Sequence, residues 1–290
     1  MWPFDRGPII PVVRLSGPIG MATPLRPGLS LAGVAGPLAK AFAMSKVPAV
    51  CIVINSPGGS PVQSSLIFQR VRQHAAESKK KVYVFCEDVA ASGGYYLAVC
   101  GDEIYADPSS IIGSIGVISA SFGLDRAIER LGVERRVYTS GANKGALDMF
   151  QPEKAEDVAL IKAIQRDIHD VFIGVVKDRR AGKLKGPDGE LFSGAFWSAA
   201  KSLDYGLIDG IADMRVKMRA LYGDNVRLVA VPMQPGGLLA RLRRLPGIAG
   251  GAGRPASGVD VETMPALGRA IADDLVSAVE ERAIWSRYGL

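Results

Sequence analysis

The stretch KVYVFCEDVAASGGYYLA, residues 81–98, decides how this chain is read. Its first half is rich in β-branched and aromatic residues and reads as a strand, and its end reads as a helix. At the corner stands Ser92, followed directly by Gly93 and Gly94. A serine at such a corner has two readings. It is an N-cap whose side chain satisfies a first-turn amide, or it is a nucleophile raised on a strand-to-helix turn.

Working outward, the same pattern recurs. Residues 49–55 (AVCIVIN) form an unbroken β-branched run, as expected of a strand buried on both faces. The run ends in Ser56-Pro57-Gly58-Gly59, a turn signal, and a helix is expected over 64–78. A first strand is expected at 9–14 and a glycine-interrupted helix at 27–45. After the central corner come a short strand at 103–106, the segment SSIIGSIGVIS, a helix at 124–131 and a strand at 134–138. Ile161, Ile164, Ile168, Phe172 and Val175 fall at helical spacing within an amphipathic helix over 154–180. A smaller helical segment at 194–206 precedes a domain end placed near 215. Strands alternating with helices predict a parallel α/β sheet with right-handed crossovers.

Composition narrows the function. The chain has 290 residues, 48% hydrophobic and 22% charged, which suits one sizeable α/β core with appendages. A net charge of +6 is spread among acidic residues, and the 7% of aromatics do not interleave with basic ones, so nucleic-acid binding is not expected. Cys51, Cys86 and Cys100 sit in apolar runs and read as buried free thiols of a reducing compartment. With two histidines and no His/Cys cluster, neither a metal nor another cofactor is expected. The N-terminal stretch has neither signal-peptide nor spanning character, and no apolar run reaches the roughly 18 residues of a membrane helix. A cytoplasmic protein is expected, with at most peripheral membrane contact.

Open parallel sheets present ligands at the carboxyl ends of their strands. Two glycine loops leave such ends, 56–59 and 89–94, and backbone N–H groups from the two would make an oxyanion hole. A serine nucleophile also needs a base. His74 reads as solvated on a helix face, and His169 as a polar-face or packing residue of the long helix. Lysine is the other choice when burial lowers its pKa. Lys144 is set apart from the solvated Lys79-Lys80-Lys81 run by its small-residue surroundings, SGANKGALDMF at 140–150. Composition leaves both the functional and the structural reading open for Lys144, as it does for Ser92.

The segments INSPGGS (54–60), AASGGYYLA (90–98), IIGSIGVI (111–118) and SGANKGALDMF (140–150), with a weaker match at 191–211, resemble signal peptide peptidase A and its shorter single-repeat relatives. These are Ser–Lys proteases of ClpP/crotonase-like fold, built of repeated ββα units around a parallel sheet. The resemblance spans residues 9 to about 215. It implies a serine endopeptidase acting on apolar, signal-peptide-like peptides, with Ser92 as nucleophile and Lys144 as general base. It implies that Gly58 and Gly93 line the oxyanion hole and that Ser114 orients the lysine. It also implies a homo-oligomer in which serine and lysine of one site come from different copies.

Residues 1–215 are then the protease domain, 216–258 a connecting segment with a Gly/Pro-rich linker, and 259–290 a C-terminal helical extension. Two alternatives stay open. One is a crotonase-type acyl-CoA enzyme using the same glycine loops with Glu87, Asp88 or Asp148 as acid and base. The other is an inactive scaffold of the same fold. In the tail, LLARLRRL (238–245) suits either an anionic membrane surface or packing on the domain. The terminal WSRYGL (285–290) is a candidate occupant of the substrate groove.

Overall fold

The computed structural model describes residues 7–20, 28–233, 278, 279 and 281–290. Strands β1 (Ile9–Ser16), β2 (Ala49–Ser56) and β3 (Lys81–Ala91) alternate with helices α1 (Leu31–Ala43), α2 (Pro61–Ser78) and α3 (Gly93–Ala98). Two short strands follow, β4 (Glu103–Ala106) and β5 (Ile111–Gly113), and then helices α4 (Asp125–Arg130) and α5 (Ala155–Arg179). The chain continues through α6 (Asp188–Leu191), β6 (Phe196–Ser198), α7 (Ala199–Asp204), β7 (Gly210–Ile211), α8 (Met214–Tyr222) and β8 (Arg227–Ala230).

The strands make one sheet in the order β6-β5-β3-β2-β1-β8, with β4 beside β3 and β7 beside β4. Every pairing is parallel except β5 with β6. This is the expected α/β architecture with a largely parallel sheet. The two-residue period of the strands divides the core. Val50, Ile52, Ile54, Val82 and Val84 face the cluster shared with α1, α2, α3 and α5. Ala49, Cys51, Val53, Tyr83 and Phe85 face a second cluster under Met218 of α8.

The decisive departure from a flat sheet lies in β3. Residues 83–86 pair with β4, whereas residues 89–91 pair with β5. Between them the register against β2 shifts, from Ile54 opposite Cys86 to Ser56 opposite Ala90, which leaves Glu87 and Asp88 outside the ladder. Such a bulge frees backbone groups that need other partners. Asn55 supplies one, its Oδ1 accepting from the Val89 amide (3.2 Å) while its Nδ2 donates to Asp88 (2.5 Å). Glu87 pairs with Arg14. The bulge turns the end of β3 away from β4 and carries Ser92 with it.

Three expectations are corrected. Residues 134–138 are not a strand: they lie exposed outside any ladder, because nothing among the described residues offers them a partner edge. The fold does not end near 215, which falls inside α8. Beyond it β8 pairs with β1 and closes that side of the sheet, so 216–231 belongs to the folded unit. His74 is not solvated: its ring stacks on Phe42 at 5.4 Å and its Nδ1 lies 3.7 Å from Glu77. The Gly/Pro-rich linker from 234 on and LLARLRRL lie outside the described residues, as does most of the C-terminal helix. Of that helix, residues 278–279 and 281–286 are described as helical.

Candidate active site

Ser92 sits where β3 becomes α3, with φ +52° and ψ −123°. A side chain at positive φ is strained, by about 1–3 kcal/mol, unless its surroundings hold it there. They do. The Ser92 amide donates to Gly113 O (2.8 Å) at the end of β5, and Ser92 O accepts from the Tyr96 amide (2.9 Å). The Ser92 hydroxyl makes no capping bond to α3, which separates it from Ser30, Ser60 and Ser198, whose side chains do cap helices. The capping reading of Ser92 therefore fails, and its oxygen is left to face a cavity.

All of α3 is buried, and its two glycines are there for close approach. A Cβ on Gly94 would lie 2.3 Å from Ser56 O, and one on Gly93 would lie 2.6 Å from Ser64 Oγ. Tyr95 anchors the helix from the far side, donating to Leu207 O (2.7 Å). Opposite Ser92, the 56–60 loop is stitched to Ile19, whose amide donates to Gly58 O and whose carbonyl accepts from Ser60, both at 2.8 Å. Gly58 holds φ +105°, and its ideal Cβ would lie 2.8 Å from Ser92 Cβ and 2.9 Å from the Gly93 nitrogen. The two glycine loops thus meet at the serine.

The expected oxyanion donors differ in state. Gly93 opens α3, so its amide has no intrahelical acceptor. The Gly58 amide already donates to Ser56 Oγ at 3.2 Å. Ser114 follows β5 at φ +53° with its side chain buried, and it lines a cavity together with Ser92.

His169, which the helical pattern alone did not place, reaches this loop from α5. Its Nε2 lies 3.0 Å from Ile115 O. A carbonyl only accepts, so Nε2 carries the proton and is not free to serve as a base there. The signal that would have found it is the pairing of a polar helix residue with the orphan carbonyl of a glycine-rich loop.

A second cavity of about 380 Å³ opens from Ser92 between α2, α3 and α5, lined by Pro57, Ser64, Tyr96, Ile168, Val171 and Phe172. Its wall is mainly apolar. The larger cavity, about 640 Å³, lies on the other face of the sheet among Arg14, Asn55, Glu87, Asp88, Asp107 and Asp213. Ser92 and the glycine loops are not part of it. Glu87 and Asp88 line that cavity, tied to Arg14 and Asn55, and Asp148 is ion-paired with Arg135, which holds its carboxyl below the usual range. None of the three carboxylates lines a cavity that Ser92 lines, so the acyl-CoA alternative finds no acid or base there among the described residues. The cysteines offer no rival nucleophile: burial pushes Cys51 and Cys100 up to about 12 and raises Cys86 as well.

Ser92, Gly58, Gly93 and Ser114 are therefore brought together, and Lys144 is not. Lys144 is exposed on the 139–150 segment and lines neither cavity that Ser92 lines.

A ClpP/crotonase-like α/β protein with a serine on a strained strand-to-helix corner is the class this geometry defines. Residues 74–222, about half of the chain, match Peptidase family S49. A protease-named protein of Synechocystis sp. is 30% identical over 212 residues, which is 72% of each chain. The chain belongs to peptidase family S49. It is also 30% identical over 223 residues to Serine protease SPPA, chloroplastic, of Arabidopsis thaliana, covering 74% of this chain and 32% of that one. A protein of Brucella abortus named Na(+)/H(+) antiporter NhaA is 56% identical over 282 residues, 97% of this chain but 37% of the relative. The chain thus spans little more than a third of that protein. No helix among the described residues is long and apolar enough to cross a membrane.

Proposed function

We propose that this chain is a serine endopeptidase of the Ser–Lys type that hydrolyses apolar peptides such as remnant signal peptides. The single observation that carries the reading is the Ser92 corner: a non-glycine residue held at φ +52°, without a capping bond, facing a mainly apolar cavity. A strained corner is kept where it places a reactive group.

In the proposed reaction a neutral Lys144 accepts the Ser92 hydroxyl proton as Oγ attacks the substrate carbonyl carbon. The carbonyl oxygen takes up the electron pair and is met by the Gly93 amide and by the Gly58 turn, once Gly58 N–H gives up Ser56 Oγ. Preorganised amides of this kind each contribute about 3–4 kcal/mol to the transition state. Collapse expels the amine, which takes the proton from Lys144, and water then releases the acyl group by the same steps. Ser114 orients the lysine.

The base in this reading comes from a second copy of the chain. Support comes from the exposed arm between β5 and α5, which carries Phe122, Leu131, Val133 and Tyr138 at 78, 76, 54 and 91% exposure. Apolar surface on that scale marks an interaction face. The first half of α5 adds Leu160 and Ile164, both exposed although the helix is amphipathic. Seating the arm on a neighbour would bury these residues and take Lys144 out of water. A cytoplasmic location accords with three free, buried cysteines, and peripheral membrane contact accords with apolar substrates.

The test is hydrolysis of an apolar fluorogenic peptide by Ser92→Ala, with fluorophosphonate labelling of the unaltered protein. Loss of hydrolysis and labelling at Ser92 support the reading. Retained hydrolysis, or no labelling of Ser92, sinks it and leaves the scaffold alternative.

A further inference from the structure

We propose that residues 281–290 are an intramolecular competitor of substrate, held by Tyr288 in an apolar slot beside Ser92. The proposal rests on the reading of Ser92 as the nucleophile.

The slot is built by the turned-out end of β3. Val89 and Ala91 point to the face opposite the main core, and Tyr288, 7% exposed, packs on both. Ile111 of β5 and Trp285 of the tail border it, and Phe196 of β6 meets the Tyr288 ring edge-on at 5.1 Å. A tyrosine buries its ring readily and keeps its hydroxyl for a polar partner. Here the hydroxyl stands 3.5 Å from Pro57 O and 3.5 Å from Ser114 Oγ. Those atoms belong to the two loops that frame Ser92.

The neighbours of Tyr288 extend the obstruction. Arg287 lines both cavities that Ser92 lines, and Ile284 lines the apolar one. A peptide lying across Ser92 would need the Pro57 carbonyl, the slot over Ala91 and the mouth of the apolar cavity. The tail holds parts of all three.

The hold is suited to exchange. Both hydroxyl distances are at the outer limit of hydrogen bonding, and Tyr288 is the one buried side chain among residues 281–290. Ring burial therefore provides most of the attachment, and a substrate with apolar side chains can replace it. The occupied and open states then differ by the differential affinity of one aromatic anchor, so removing the anchor shifts the balance by about tenfold or more.

The experiment uses the full chain and compares Tyr288→Ala, Tyr288→Phe and a deletion of 281–290. It measures kcat and KM on an apolar fluorogenic peptide and the rate of fluorophosphonate labelling. Tyr288→Ala and the deletion should raise kcat/KM about tenfold, mainly through KM, and speed labelling to match. Tyr288→Phe keeps the ring and should stay within about twofold of the unaltered chain. Unchanged or slower labelling and hydrolysis in both Tyr288→Ala and the deletion, with melting temperatures preserved, overturns the proposal. Each comparison is repeated with Ser92→Ala. Activity that survives that change refutes the nucleophile, whereas Ser92-dependent activity indifferent to Tyr288 refutes the tail alone.

Discussion

A Cβ added to Gly58 would lie 2.8 Å from Ser92 Cβ, so the turn after β2 and the corner after β3 meet closely at Ser92. Real side chains do not tolerate that distance, and Gly58 also holds φ +105°. Gly58→Ala should therefore push the two loops apart. We expect kcat/KM to fall by about 100-fold or more, since small misplacements at a reacting centre are that costly. A thermal melt should show a loss of about 1–3 kcal/mol. Near-normal activity in a folded Gly58→Ala protein would mean that this contact does not set the site.

Ser92 itself opposes stability. Glycine accepts φ +52° without the side-chain penalty, so Ser92→Gly should raise the melting temperature while abolishing hydrolysis. Ser92→Ala should abolish hydrolysis without that gain. A net gain of about 1 kcal/mol corresponds to a shift of about 2–4 °C for a chain of this size. Calorimetry of the two variants checks it, and equal melting temperatures would remove strain from the account.

Arg180 has 2% of its side chain exposed and depends on Asp209, which it meets at 2.7 Å, with Lys183 on the other carboxylate oxygen at 2.7 Å. Burial alone would raise the Asp209 pKa, but the Arg180 and Lys183 bonds hold it below its ordinary value. A depressed carboxylate stabilises the fold above its unfolded pKa, about 3.9, and that contribution is lost as pH falls through the folded value. Asp209→Asn should cost about 3–5 kcal/mol at neutral pH by leaving a buried guanidinium unpaired. It should also weaken the dependence of stability on pH below about 4. Urea titrations at pH 7 and pH 3 measure both effects.

His169 bonds the Ile115 carbonyl in the loop that holds Ser114. His169→Ala should lower kcat by about tenfold with KM little changed, the scale of one lost hydrogen bond to a positioned loop. His169→Gln retains a donor and should recover part of that loss. A Gln variant no better than Ala would reduce His169 to packing.

Much of this is legible in the sequence. The unbroken β-branched run of β2 marked a strand buried on both faces, and the Gly-Gly after Ser92 marked a helix start that must approach another backbone. What stayed hidden has physical causes. The polar pair Glu87-Asp88 interrupts the apolar run of β3 as a bulge, and side-chain bonds from Asn55 and Arg14 let the strand resume. Residues 134–138 have strand composition, but composition cannot supply a partner edge. Helix α8 and strand β8 are short and broken by Arg215, Lys217, Arg219 and Arg227, so their place in the fold shows only in the packing of Met218 and the pairing with β1. His169 joins the site through a carbonyl 54 residues earlier, a relation no local spacing encodes.

The central claim is that Ser92 of one copy works with Lys144 of another. Equal amounts of the Ser92→Ala and Lys144→Ala proteins, mixed under conditions that allow subunit exchange, measure it directly. The account predicts that each alone fails to cleave the apolar peptide. The mixture should recover about a quarter of the unaltered activity, as random pairing of copies returns intact Ser92–Lys144 sites. A Lys144→Ala protein that is active alone, or an exchanged mixture as inactive as its components, would contradict it.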